Sequence, residues 1–80
     1  MLYKLKFNKI YEFHGDFWHG NPKKYNKNDI NKVNKKSFGE LYDNTKNKIT
    51  NLRRLNYNIE EIWEYDWILY KKLLNDIKCN

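Results

Sequence analysis

Within eight residues, Glu12, His14, Asp16 and His19 bring together two carboxylates and two imidazoles. Such groups, leaving the end of a strand into a glycine-containing loop, can hold a hard divalent cation and orient water beside a phosphate. The blander alternative leaves Glu12 facing solvent and both histidines satisfied within the loop. Other chemistries lack their residues. A structural zinc site wants paired Cys and His at set spacings, and His14-x4-His19 stands alone. Ser37 is the only serine and has no nucleophile elbow around it, which sets acyl transfer aside. No phosphate-cradling G-x-x-x-x-G-K-[ST] loop is present, so no nucleotide cofactor is expected.

The elements that must position these groups follow from periodicity. Leu2 to Phe7 alternates, Asn8-Lys9 reads as a two-residue turn, and Ile10 to Phe13 reads as the returning strand of a hairpin. On that strand Glu12 and His14 share a face, expected to be the polar one, while Tyr11 and Phe13 take the other as core. His14 to Pro22, with two glycines and Asn-Pro, reads as a loop. Lys23 to Lys36, mostly Lys and Asn, reads as an exposed, mobile connection. Ser37 with Glu40 forms a capping box ahead of a helix from Phe38 to Leu55, and Asn56-Tyr57 ends it. Lys46, Lys48, Arg53 and Arg54 load its C-terminal half, where they suit the helix dipole and can face phosphate. A strand over Asn58 to Trp63 and a helix over Trp67 to Lys78 complete a β-β-α-β-α order. The crossover rule sets the third strand parallel to the second, giving a small mixed three-stranded sheet in an α/β domain with the long helix on one face. The other face needs a cover, from the C-terminal helix or from a second subunit.

Eighty residues make one domain, 1–80, with a core small enough that a homodimer is expected. Cys79 is the single cysteine and forms no internal disulfide; no 18-residue apolar run exists, so the chain reads as non-membrane, in the cytoplasm or nucleus. Sixteen Lys and Arg against ten Asp and Glu leave a charge of +6, which favours a polyanion such as DNA. The absence of Ala and Gln points to AT-rich coding, which accounts for part of the lysine excess.

The string Tyr11-Glu12-Phe13-His14-Gly15-Asp16-Phe17-Trp18-His19-Gly20-Asn21-Pro22, then Gly39-Glu40-Leu41-Tyr42 with Thr45, then Asn56 to Ile59 and Ile62 to Trp67, resembles the very-short-patch-repair (Vsr-like) branch of the PD-(D/E)XK nuclease superfamily. It also resembles the Vsr-like domains of large DNA viruses and phages. The resemblance implies a minimal restriction-endonuclease-like fold, shortened at the N-terminus, and a Mg²⁺-dependent DNA endonuclease, with Mn²⁺ as a substitute, in a virus-infected host cell. Under it, Glu12, the Phe13 carbonyl and Asp16 hold the metal. His14 orients or activates the attacking water, and His19 acts at the scissile phosphate or leaving group. Phe17 and Trp18 match an aromatic pair that wedges into the base stack, unless they simply anchor the loop.

One departure matters. The family places an essential Asp on the first strand, and Met1 to Ile10 contains no acidic residue. Either Asp16 or a carboxylate of a second subunit replaces it, or the chain is a catalytically impaired remnant that still binds DNA. In that alternative Lys23, Lys24, Lys27, Lys32, Lys35 and Lys36 contact phosphate, with Lys46 and Arg53 beside them. A structural or interaction protein is the third reading.

Overall fold

The computed structural model describes residues 2–4 and 9–78. The expected strand residues Leu5 to Phe7, Asn8 of the expected turn, and Cys79 lie outside them.

Strands β1 (Leu2–Lys4) and β2 (Lys9–His14) pair antiparallel, and β2 pairs in parallel with β5 (Asn58–Trp63), in the order β1-β2-β5. The parallel pairing and the bounds of β5 agree with the sequence reading. The hairpin register does not. A turn at Asn8-Lys9 would set Phe7 against Ile10, whereas Lys4 lies opposite Ile10 and Lys9 belongs to β2.

Helix α2 (Phe38–Arg54) begins where Ser37 Oγ accepts the Glu40 N–H, relieving one unsatisfied donor of the first turn. It ends in a Schellman motif. Asn56, at φ 68°, takes the left-handed position; its N–H donates to the Arg53 carbonyl, and the Tyr57 N–H donates to the Leu52 carbonyl. Phe38, Leu41, Thr45 and Ile49 form its buried stripe. Ile49 packs on Ile10 and Ile59, with Leu52 and Tyr57 closing the cluster.

Three further expectations are corrected. The loop after His14 contains a helical turn, α1 (Asp16–His19), capped by Gly20 in the left-handed conformation. Lys23 to Lys36 is no loose connection: β3 (Ile30–Asn31) and β4 (Lys36–Ser37) form a ribbon pinned by the fully buried Asn31. Asn31 donates to the Phe17 carbonyl and accepts the Val33 N–H, so one side chain satisfies groups on both segments. Helix α3 (Glu64–Lys78) starts three residues early, with Glu64 and Asp66 in its first turn, where carboxylates suit the helix dipole. Its apolar residues remain largely exposed, so it does not cover the sheet.

The faces of β2 are also reversed. Ile10, Glu12 and His14 are buried beneath α2, while Tyr11 and Phe13 are more than a third exposed. A sheet covered on one side buries whatever faces the covering helix. Ile10 commits that face, and period-two alternation carries Glu12 and His14 inside with it. The molecule is a small mixed α/β domain.

Candidate functional site

The face beneath α2 grades from apolar to polar in three rungs. Ile10 pairs with Ile59, Glu12 with Glu61, and His14 with Trp63. Successive turns of α2 meet these rungs. Ile49 covers the isoleucines, Lys48 and Lys46 reach the glutamates, and Tyr42 lies 5.9 Å from the Trp63 ring.

Two carboxylates side by side in an enclosed place repel each other and lose hydration, so cations must hold them. Lys48 Nζ donates to Glu12 Oε1 at 2.9 Å, and Arg53 donates to Glu61 Oε2 at 3.2 Å, with Lys46 Nζ 3.8 Å from the same oxygen. His14 sits between the carboxylates. Its Nε2–H donates to Glu61 Oε1 at 3.1 Å, because an ionised carboxylate only accepts. Its Nδ1 faces Glu12 Oε1 at 3.8 Å, and both Nδ1 and Glu12 Oε2 are buried without a hydrogen-bond partner.

His19 stands beside His14, with ring centroids 5.1 Å apart. Thr45 Oγ1 gives its one proton to the Leu41 carbonyl, so it accepts from His19 Nδ1–H at 2.9 Å. That fixes the neutral tautomer and leaves Nε2 as the ring's proton acceptor. Burial, then the neighbouring His14, pushes the His19 pKa below its ordinary value of 6.5, against the pull of Glu12. His19 is thus neutral at pH 7 and suited to accept a proton or hydrogen bond rather than to donate one through Nε2.

Asp16 is turned to another task. Its Oδ1 accepts from Asn21 Nδ2 at 2.8 Å and from the Tyr65 N–H at 3.2 Å, while its own N–H donates to Glu64 Oε1. It ties α1 to the first turn of α3. Phe17 and Trp18 part company: Phe17 packs on Tyr25 and Phe38, whereas Trp18 is 53% exposed. Lys24, Lys27, Lys32, Lys35 and Lys36 are exposed, and Lys23 is ion-paired with Asp66 at 2.9 Å. Lys46 and Arg53 lie at the glutamates.

Mg²⁺ takes six oxygens in a near-octahedral shell. Of the carboxylates expected to supply them, Asp16 Oδ1 is held by Asn21 and the Tyr65 N–H, and one oxygen of Glu12 is held by Lys48. No group of three or more His, Cys, Asp or Glu among the described residues is arranged to hold a metal ion. Among the described residues, one oxygen each of Asp16 and Glu12 is thus engaged, and Glu12 Oε2 stays buried without a partner.

Sequence reasoning missed Glu61 and Asn31, gave Thr45 no role beyond its place in the motif, and took Lys48 only as a cation able to face phosphate. Glu61 has a legible signal in retrospect: once β2 and β5 are parallel, the in-phase positions of Tyr11-Glu12-Phe13 and Glu60-Glu61-Ile62 place two acids on one rung. Among the described residues, no helix is long and apolar enough to cross a membrane. Searches against protein-family models, characterised proteins and solved structures give no match for this chain.

Proposed function

We propose that this chain binds DNA as a Vsr-like domain of the PD-(D/E)XK kind, a reduced restriction-endonuclease-like fold whose own residues do not complete a metal centre. Its place is where DNA is handled, in the cytoplasm or nucleus, including that of a virus-infected host cell.

The observation that carries this reading is Trp18, held half-exposed on α1 with the lysine-bearing ribbon folded against the same helical turn through Asn31 and Phe17. An aromatic ring on a fixed support stacks on or wedges between bases. Lys24, Lys27, Lys32, Lys35 and Lys36 supply phosphate contacts that position the duplex without reading its sequence. Of the α2 cations, Lys46, Lys48 and Arg53 lie against Glu61 and Glu12, so these three steady the site rather than the nucleic acid.

Anisotropy of a labelled duplex tests it. Affinity should fall at least about tenfold between roughly 50 and 200 mM salt, as counterion release at several phosphates requires. Binding that is absent at low salt, or indifferent to salt, would remove the proposal.

A second reading is the Mg²⁺-dependent endonuclease, cutting or nicking DNA. The buried, unpartnered Glu12 Oε2 and His14 Nδ1 favour it, because buried polar atoms without partners mark a place built for something further. On that reading Glu12 and the Phe13 carbonyl face the metal, a carboxylate from outside this chain completes the set, and His19 Nε2 accepts a proton near the phosphate.

A further inference from the structure

Between the turn that ends α1 and the first turns of α2 lies a recess of about 380 Å³, at the lower end of the ~300–1,000 Å³ typical of small-ligand pockets. Its walls are aromatic rings and small residues. Tyr25, from the segment before the ribbon, and Tyr42, from α2, both line it. The Tyr25 ring is stacked on Phe38 at 4.4 Å and 14°, which holds it as a fixed plate. Gly39 lets the two segments meet closely: its N–H donates to the Lys27 carbonyl at 3.0 Å, and a Cβ there would stand 3.0 Å from the same oxygen.

The recess carries one unpaired acid and one unpaired cation. Asp43 and Lys27 both line it, and neither makes a hydrogen bond or ion pair among the described residues. On the helix the neighbour of Asp43 three residues on is Lys46, and that ammonium lies 3.8 Å from Glu61 instead. A free carboxylate among lysines that meet phosphate weakens the hold on a polyanion, unless it accepts a hydrogen bond from the same ligand. A nucleotide supplies all three complements: a phosphate for the ammonium, a flat face for the tyrosines and an amino group for the carboxylate. Cytosine fits best, because its N4 amino group is the donor that carboxylates read, whereas thymine presents a carbonyl oxygen at that place.

The same helical turn supports both this recess and Trp18. Gly20, in the wall of the recess, follows Trp18 by two residues. Phe17, next to Trp18, packs on Tyr25 with ring centroids 6.0 Å apart. A ring that wedges into the base stack loosens a base, and a loosened base stays out of the stack only where something holds it. We infer that the recess receives an unstacked cytosine of the bound DNA. Asp43 accepts from its N4 amino group, Tyr25 and Tyr42 lie against its ring, and Lys27 meets the adjoining phosphate. The inference rests on the DNA-binding reading above and adds to it a preference for one base.

Anisotropy with labelled duplexes holding an unpaired C, an unpaired T, or no unpaired base tests it, since an unpaired base costs least to unstack. The C duplex should bind at least about fivefold tighter than the T duplex. Asp43→Ala should abolish that difference while far-ultraviolet circular dichroism keeps the helical signal. The ratio is the readout, because removing an acid raises affinity for all three duplexes alike and a merely structural role would leave the ratio unmoved. Lys27→Ala should weaken binding to all three and keep the ratio. Equal affinity for the C and T duplexes overturns the inference and leaves the DNA-binding reading standing, as does a C preference that survives Asp43→Ala. Competition by an equal concentration of free deoxycytidine monophosphate also overturns it, by assigning the recess to a free nucleotide. Absence of binding to all three duplexes removes both the inference and the reading beneath it.

Discussion

Glu12 and Glu61 are direct neighbours across the parallel β2–β5 pair, and each carboxylate is held by a cation of α2 rather than by water alone: Lys48 at 2.9 Å and Arg53 at 3.2 Å. This relationship continues the isoleucine core beneath α2 as an ion-pair network. It also makes the helix and the sheet depend on each other's charge, since neither carboxylate is stable there without its partner.

Lys48→Met should therefore destabilise the fold by about 1–3 kcal/mol, the lower part of the range for stranding a buried charge, because the lysine side chain is itself half in solvent. Adding Glu12→Gln to that variant should recover much of the loss. Urea denaturation of the two single variants and the double variant gives the coupling, and strictly additive losses would show that the pair does not hold the face.

Acid should weaken the fold through His19. Its pKa is depressed in the folded chain, chiefly by burial, so the unfolded chain binds its proton more readily. The sign follows: this contribution is fully present above the ordinary value of 6.5 and is lost as pH falls below it toward the folded value. His19→Gln should flatten the pH dependence of the urea midpoint in that window. An unchanged slope would contradict the assignment.

Gly20→Ala should cost at least about 2 kcal/mol. The residue caps α1 at φ 66°, and an added Cβ would meet the Phe38 carbonyl oxygen at 2.0 Å. Because that contact is with backbone, α1 itself must shift, and DNA binding should weaken along with thermal stability. A variant that melts like the parent would refute the claim that this turn is fixed.

The two adjacent aromatics should separate cleanly. Trp18→Ala should lower DNA affinity by about 1–3 kcal/mol, the usual worth of one stacking ring, with little change in melting. Phe17→Ala should do the reverse at first hand, destabilising by roughly 2–3 kcal/mol through lost packing on Tyr25 and Phe38. Anisotropy and calorimetry on the same preparations distinguish them; equal effects on both readouts would mean that the pair acts as one unit.

What the sequence made legible was strongest where local signals agree. Ser37, the 3.6-residue stripe and Asn56 bounded α2 to within a residue, and β5 with its parallel pairing emerged from the element order. The side of β2 that is buried was not legible, because Ile10-Glu12-His14 and Tyr11-Phe13 both alternate correctly and only the position of α2 chooses between them. Glu60 and Glu61 are likewise indistinguishable until the register sends one inside. Asn31 sits in a lysine-rich stretch that reads as disordered by composition, yet its single amide organises the ribbon by bonds that composition does not encode. Of the candidate site, Glu12, His14 and His19 do gather, whereas Asp16 faces α3 because the Tyr65 N–H and Asn21 claim its carboxylate.

The most direct test of the account is incubation of the purified chain with supercoiled plasmid in Mg²⁺, Mn²⁺ and EDTA, beside Glu12→Gln. Plasmid should stay supercoiled in all three, with a mobility shift equal in metal and in EDTA and reversed by salt. Nicking or linearisation that requires the metal and disappears in Glu12→Gln would contradict it, and would establish that the unpartnered oxygen of Glu12 serves a working metal centre.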